Sequence, residues 1–103
     1  MAGGGVLGLL SLGRRAGHLD LGVEAVRDGM QAGRVRCVVL AVDASPRARQ
    51  KLIALAAGTN VPLLVGPDAE TLGARLGRPP VMAVGVRDRA LAAGIIRQGT
   101  PWA

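Results

Sequence analysis

The stretch Val35-Arg36-Cys37-Val38-Val39-Leu40-Ala41-Val42, with Ser45-Pro46 just beyond it, decides the fold. Apart from Arg36 every residue of the run is apolar, and most are β-branched. That is the composition of a central strand covered on both faces. Ser45 then supplies a helix cap and Pro46 a first-turn proline. Ala48, Leu52, Leu55 and Ala56 mark the helix that follows, which is expected to end at Gly58.

The same alternation extends in both directions. Upstream, Val6, Leu9, Leu10 and Gly13 fall at helical spacing and predict a helix over 4–15, with Gly17 as its stop. His18-Leu19-Asp20-Leu21 reads as a short strand leading to Gly22. Val23, Val26 and Met30 share one face of a second helix over 22–32, closed by Gly33, while Glu24, Arg27, Asp28 and Gln31 take the other face. Downstream, Val61-Pro62-Leu63-Leu64-Val65 reads as a second buried strand. Asp68 caps a helix carrying Leu72 and Leu76 and stopping at Gly77. Val81 to Val86 is a further strand, and Asp88 caps a last helix through Ile95 and Ile96. Alternating helices and strands at this length predict one α/β domain over 1–103, a three-layer α/β/α sandwich with a mixed sheet. Residues 1–4 are expected to be flexible. In such sheets ligands sit at strand ends and helix N-termini.

With 103 residues the chain is one small domain, and its hydrophobic fraction of 50% is enough for a core. There is no Phe or Tyr and the single aromatic residue is Trp102, so Ala, Val, Leu and Ile must build that core. Recognition of RNA by stacked aromatics is thereby excluded. The 13 basic residues, all Arg except Lys51, face 7 acidic ones, giving +6 and a pI near 11.5. That balance points to a polyanionic partner, and Arg forks onto phosphate and guanine edges better than Lys does. No run reaches the roughly 18 apolar residues of a membrane span, and the first residues lack a basic signal-peptide region. A soluble, cytoplasmic protein is expected.

Few residues suggest catalysis. Gly3-Gly4-Gly5-Val6-Leu7-Gly8 satisfies G-x-G-x-x-G but has no strand before it, which the dinucleotide motif requires. Cys37 lies in an apolar strand and reads as a small buried hydrophobe. His18 reads as a solvated turn residue, and the carboxylates are scattered as helix caps. No metal, cofactor or enzymatic activity is implied. The informative stretch is Asp20-Leu21-Gly22-Val23-Glu24-Ala25-Val26-Arg27. Glycine at a helix start lets backbone N–H groups approach an anion, and the helix dipole favours phosphate there. Arg14, Arg15 and Arg27 are expected to flank that site. The competing reading of these residues is a tight turn with solvated charge.

The order of blocks carries a resemblance. Leu7-Gly8-Leu9-Leu10 through Arg14-Arg15-Ala16-Gly17, then Leu21 to Val26, Val38 to Ser45, Asn60-Val61-Pro62 and Leu72 to Gly77 resemble the L7Ae ribosomal-protein family, which binds kink-turn RNA. The likeness covers roughly 6–96 and is greatest to its bacterial YlxQ-like branch. It implies an α/β/α sandwich whose second helix enters the widened groove beside sheared G·A pairs, through Gly22, Val23, Glu24 and Ala25. It also implies a loop that packs on an extruded nucleotide, here Arg78, Pro79, Pro80, Val81 and Met82. Strong kink-turn binders read G-x-N-E at the helix start, where this chain has Gly22-Val23-Glu24-Ala25, and the family's lysine one turn later is Asp28 beside Arg27. A carboxylate accepts from guanine or cytosine amino groups but repels phosphate. Base readout is therefore expected to be altered, with shape and backbone recognition retained.

These expectations describe a non-enzymatic binder of structured RNA, a kink-turn or related internal loop, with the ribosome as a host and no DNA or membrane partner. The alternatives are a protein-interaction module that docks on a ribosomal or transcription assembly, and a small enzyme built on His18 or Cys37. The first requires Arg14, Arg15 and Arg27 to point to different faces beside an exposed apolar patch; the second requires a deep pocket joining either residue to a carboxylate.

Overall fold

The alternation of periodicities becomes ten elements in the computed structural model, which describes the backbone of residues 2–102 and the side chains of residues 5–102. In chain order they are α1 (Ala2–Ala16), β1 (Leu19–Leu21), α2 (Val23–Gln31), β2 (Cys37–Ala41), α3 (Pro46–Thr59), β3 (Leu63–Gly66), α4 (Ala69–Arg75), β4 (Ala83–Val86), α5 (Arg89–Gln98) and β5 (Thr100–Pro101). Helix α1 starts earlier than the expected residue 4. The expectation of a flexible start at 1–4 falls on residues whose side chains, and at Met1 the backbone too, lie outside the described ones.

The sheet order is β1-β4-β2-β3-β5. Strands β2 and β3 are parallel, with Val38 opposite Leu63, and helix α3 makes the crossover. Strand β4 runs antiparallel to both β2 and β1, pairing Leu40 with Ala83 and Leu21 with Val84. The sheet is therefore mixed, as expected. Helices α2 and α3 pack together in one layer, and α1 packs with α4 and α5 in the other.

Every residue of β2 is buried, because it lies at the centre of the sheet with a helical layer on each face. The core around it is Val, Leu, Ile and Ala with Met30 and Cys37, and no polar or charged residue is buried among those described. Removing each of the larger side chains from water contributes about 1.5–3 kcal/mol. Trp102 is only partly buried, and its amide donates to Leu63 O at 2.8 Å along the sheet edge.

Several boundaries differ from expectation: β2 starts at Cys37 rather than Val35, and β4 at Ala83 rather than Val81, leaving Val81 and Met82 in the loop before it. Val42, read as strand, is 54% exposed, because pairing ends at Ala41. Helix α3 passes Gly58 and stops at Thr59, where Asn60 takes the left-handed conformation (φ 59) that its short polar side chain tolerates. Strand β3 begins at Leu63 rather than Val61 and is only half-buried. The two-residue strand β5 carries no periodicity and was not expected; it forms by pairing Leu64 with Pro101.

Candidate functional site

The register places three segments at one end of the sheet. β1 and β2 run toward this end and β4 starts from it, so Gly22, the Val42–Ser45 segment and the Arg78–Met82 loop converge there. Two contacts pin the arrangement. The amide of Gly22 donates to Ala83 O at 2.9 Å, and the amide of Ala41 donates to Met82 O at 2.7 Å.

Gly22 adopts φ 96, ψ 158, a region essentially restricted to glycine. Nothing lies within 4 Å of the position a Cβ would occupy, so its backbone faces open space. Helix α2 has no side-chain cap. The other helix starts with described side chains do: Ala48 N donates to Ser45 Oγ at 3.2 Å, Thr71 N to Asp68 Oδ1 at 2.7 Å and Leu91 N to Asp88 Oδ2 at 2.8 Å. The donation from Thr71 also holds the Asp68 carboxyl below its ordinary value. The first-turn N–H groups of α2 are thus available to an external acceptor, at the positive end of the helix dipole.

The Arg78–Met82 loop forms the facing wall. It runs back along α4, with the amide of Val81 donating to Ala69 O at 3.0 Å and that of Arg78 donating to Gly73 O at 2.9 Å. The approach requires a glycine: a Cβ on Gly73 would lie 2.2 Å from Pro79 O and 2.9 Å from Arg78 O. Asp43 Oδ1 accepts from Ala69 N at 2.8 Å, which locks the start of α4 to the segment after β2. Between Leu21–Glu24 and the loop lies a groove of about 320 Å³.

Of the expected site residues the structure brings Gly22, Val23, Glu24, Arg78, Pro79, Pro80, Val81 and Met82 together around this groove. Ala25, half-buried in the first turn of α2, does not line it. The expected ring of arginines is not formed. Arg14 lies in the opposite helical layer from α2 and donates through Nε to Leu76 O at 3.3 Å, which ties α1 to the end of α4. Arg15 is exposed on the same helix and does not line the groove. Arg27 stays on α2 but is engaged locally, its Nη2 lying 3.0 Å from Glu24 Oε1 and 3.2 Å from Asp28 Oδ1. The physical reason for the scatter is that α1 and α2 cover opposite faces of the sheet.

Sequence reading missed two cations near the groove. Arg47 and Lys51 on α3 line a neighbouring depression of about 210 Å³ together with Val23, Glu24, Ser45 and Met82. The signal was the Ser45-Pro46 helix start at a strand end. That this start meets α2 depends on strand order. Strand β1 itself is braced by Asp20, whose carboxylate lies 3.5 Å from Arg34 Nε and 3.7 Å from Arg87 Nε.

Cys37 and His18, the residues on which an enzymatic reading would rest, are placed apart from any shared pocket among the described residues. Cys37 is fully buried in β2, where desolvation pushes its thiol up to about 12. His18 Nε2 lies 3.9 Å from Asp88 Oδ1 at an otherwise apolar surface groove between α1 and α5, which Cys37 does not line. Among the described residues no group of three or more His, Cys, Asp or Glu side chains is placed to hold a metal, and no helix is long and apolar enough to cross a membrane.

The sequence model of the Ribosomal protein L7Ae/L30e/S12e/Gadd45 family matches residues 6–93. The chain belongs to that family. The resemblance read from the ordered blocks is thereby established for the family as a whole. Among solved structures, this L7Ae-family chain is similar to a protein of unknown function from Bacillus halodurans, with 29% identity, a TM-score of 0.86, and coverage of 90% of this chain and 94% of that one. It is also similar in fold to the Giardia lamblia 15.5kD RNA binding protein, at 19% identity and a TM-score of 0.78, covering 89% of this chain and 79% of that one. No curated protein matches it in sequence.

Proposed function

We propose that this L7Ae-family protein is a non-enzymatic RNA-binding protein that clamps a kinked or internally looped RNA, with ribosomal RNA as a candidate and the cytoplasm as its location. One observation carries the reading. The uncapped start of α2, opened by Gly22, faces the Arg78–Met82 loop across a groove of about 320 Å³. Bare N–H donors on one wall suit a phosphate or a base edge, and the apolar Pro79, Pro80 and Met82 of the other wall suit an unstacked base. A related chain in Giardia lamblia is an RNA binding protein, which agrees with this choice.

Glu24 stands where strong kink-turn binders carry an amide. Its carboxylate lies beside Arg27 at 3.0 Å and Lys51 at 3.6 Å, so its repulsion of nearby phosphates is offset. It keeps acceptor capacity for a guanine or cytosine amino group, so the reading includes base preferences that differ from those of the amide-bearing relatives. The test is titration of a kink-turn RNA and a plain duplex of equal length at two salt concentrations. Tighter binding of the kinked RNA that weakens steeply with salt is expected. Equal affinities for the two would reduce the function to unspecific polyanion binding.

A second reading is favoured by one observation. Leu12 is 53% exposed beside a largely apolar groove of about 400 Å³ between α1 and α5, and Arg14 and Arg27 lie on different faces. In that reading the α1–α5 face docks on a protein of a ribosomal or transcription assembly. Leu12→Asp separates the two: loss of association with the assembly at unchanged RNA affinity would select the second.

A further inference from the structure

The groove beside Gly22 does not end at Glu24. Val23, Glu24 and Met82 form a ridge shared with the depression on α3, where Arg47 and Lys51 stand one helical turn apart on the same side. Met82 is held on this ridge by the amide of Ser45, which donates to its sulfur at 3.4 Å. Arg47 is exposed and makes no ion pair among the described residues. Arg47 is left uncancelled by the acidic groups nearby, whereas Lys51 lies 3.6 Å from Glu24, whose other partner Arg27 is also engaged by Asp28. Asp43 accepts from the amide of Ala69.

The geometry points to a second contact, in which Arg47 and Lys51 bind the phosphates of an RNA strand leaving the α2 groove over α3. This rests on the RNA-binding reading above and extends it. An RNA seated at the α2 start and bent over the Val23–Met82 ridge passes directly above two cations aligned along a helix axis. Arg offers a planar fork to a phosphate and Lys a point charge, so both suit a backbone contact with no demand on base identity. The contact gives affinity and orientation while the α2 groove carries recognition.

The experiment measures affinity of the full chain for a kink-turn RNA and for an equal-length duplex across a salt series. It compares the wild type with Arg47→Gln, with Arg47→Gln/Lys51→Gln, and with a control of equal charge loss, Arg89→Gln/Arg97→Gln, on α5. Each phosphate contact adds roughly 0.7–0.9 to the slope of log affinity against log salt. The α3 double variant is therefore expected to show a slope shallower by about 1.5, by the same rule. Arg47→Gln alone, which leaves the partners of Glu24 in place, is expected to show about half of that, and the α5 control almost none. A wild type that prefers the kinked RNA, with α3 variants matching it or matching the α5 control, would overturn the α3 contact alone. A wild type without that preference overturns the RNA-clamp reading and this contact with it.

Discussion

The amide of Gly22 and the carbonyl of Ala83 are joined by a hydrogen bond of 2.9 Å, which couples the start of α2 to the first residue of β4. The two walls of the groove are therefore parts of one framework: Gly22 opens one wall, and Ala83 follows directly on the loop that makes the other. Perturbing either residue's backbone moves both walls.

Substitution at Gly22 tests the backbone requirement. Its φ of 96 with ψ 158 is strained for any residue with a Cβ, although no neighbour would be struck. Gly22→Val is expected to cost about 1–3 kcal/mol of stability and to weaken RNA binding together with it. Thermal melting and titration of the same preparation check both; a variant with wild-type melting would remove the conformational argument.

Gly73 is a steric case. A Cβ there meets the carbonyls of Pro79 and Arg78, which are backbone atoms that cannot rotate away. Gly73→Ala is expected to destabilise by about 1–3 kcal/mol and to displace the Arg78–Met82 loop. RNA affinity should fall more than for an equally destabilising change in β3, compared under conditions where both variants are folded.

Arg27 balances Glu24 and Asp28 on the exposed face of α2. Arg27→Glu places three carboxylates together on α2, of which Glu24 lines the groove. RNA binding is expected to weaken on the order of tenfold, or roughly 1.4 kcal/mol, with stability changed by no more than about 0.5–1 kcal/mol. Unchanged binding would show that RNA does not approach the exposed face of α2 around Arg27.

Cys37 has a pH signature. Burial raises its thiol from 9.0 to about 12, so the unfolded chain releases the proton first as pH rises. The associated stability is complete below 9.0 and is lost progressively toward about 12. The chain has no Tyr, so no phenol adds to this dependence. The native thiol is expected to resist aromatic disulfide reagents at pH 8 and to react fully on denaturation. Rapid reaction of the folded protein would show that β2 is not covered.

Helix existence was readable locally. The caps Ser45, Asp68 and Asp88 lie where expected, because a cap depends on residues within one turn. Boundaries that depend on pairing were not readable: Val42 is as apolar as its neighbours, yet it has no partner across β4. The same division runs through the site. Gly22 was readable because its role is its own φ, whereas Arg14 was misjudged because closeness along the chain does not survive a change of layer. Arg47 and Lys51 escaped notice for the converse reason.

By itself the sequence determined the α/β class, the order of the elements as far as α5, the aliphatic core and the glycine that opens α2, since each follows from periodicity or from conformations available within a few residues. The tertiary structure alone decided that Gly22 faces the Arg78–Met82 loop and adjoins Arg47 and Lys51, and that Arg14 is turned away toward Leu76. Those neighbours are set by the antiparallel insertion of β4 between β1 and β2, a hydrogen-bonded pairing of strands far apart in the chain that no local pattern encodes.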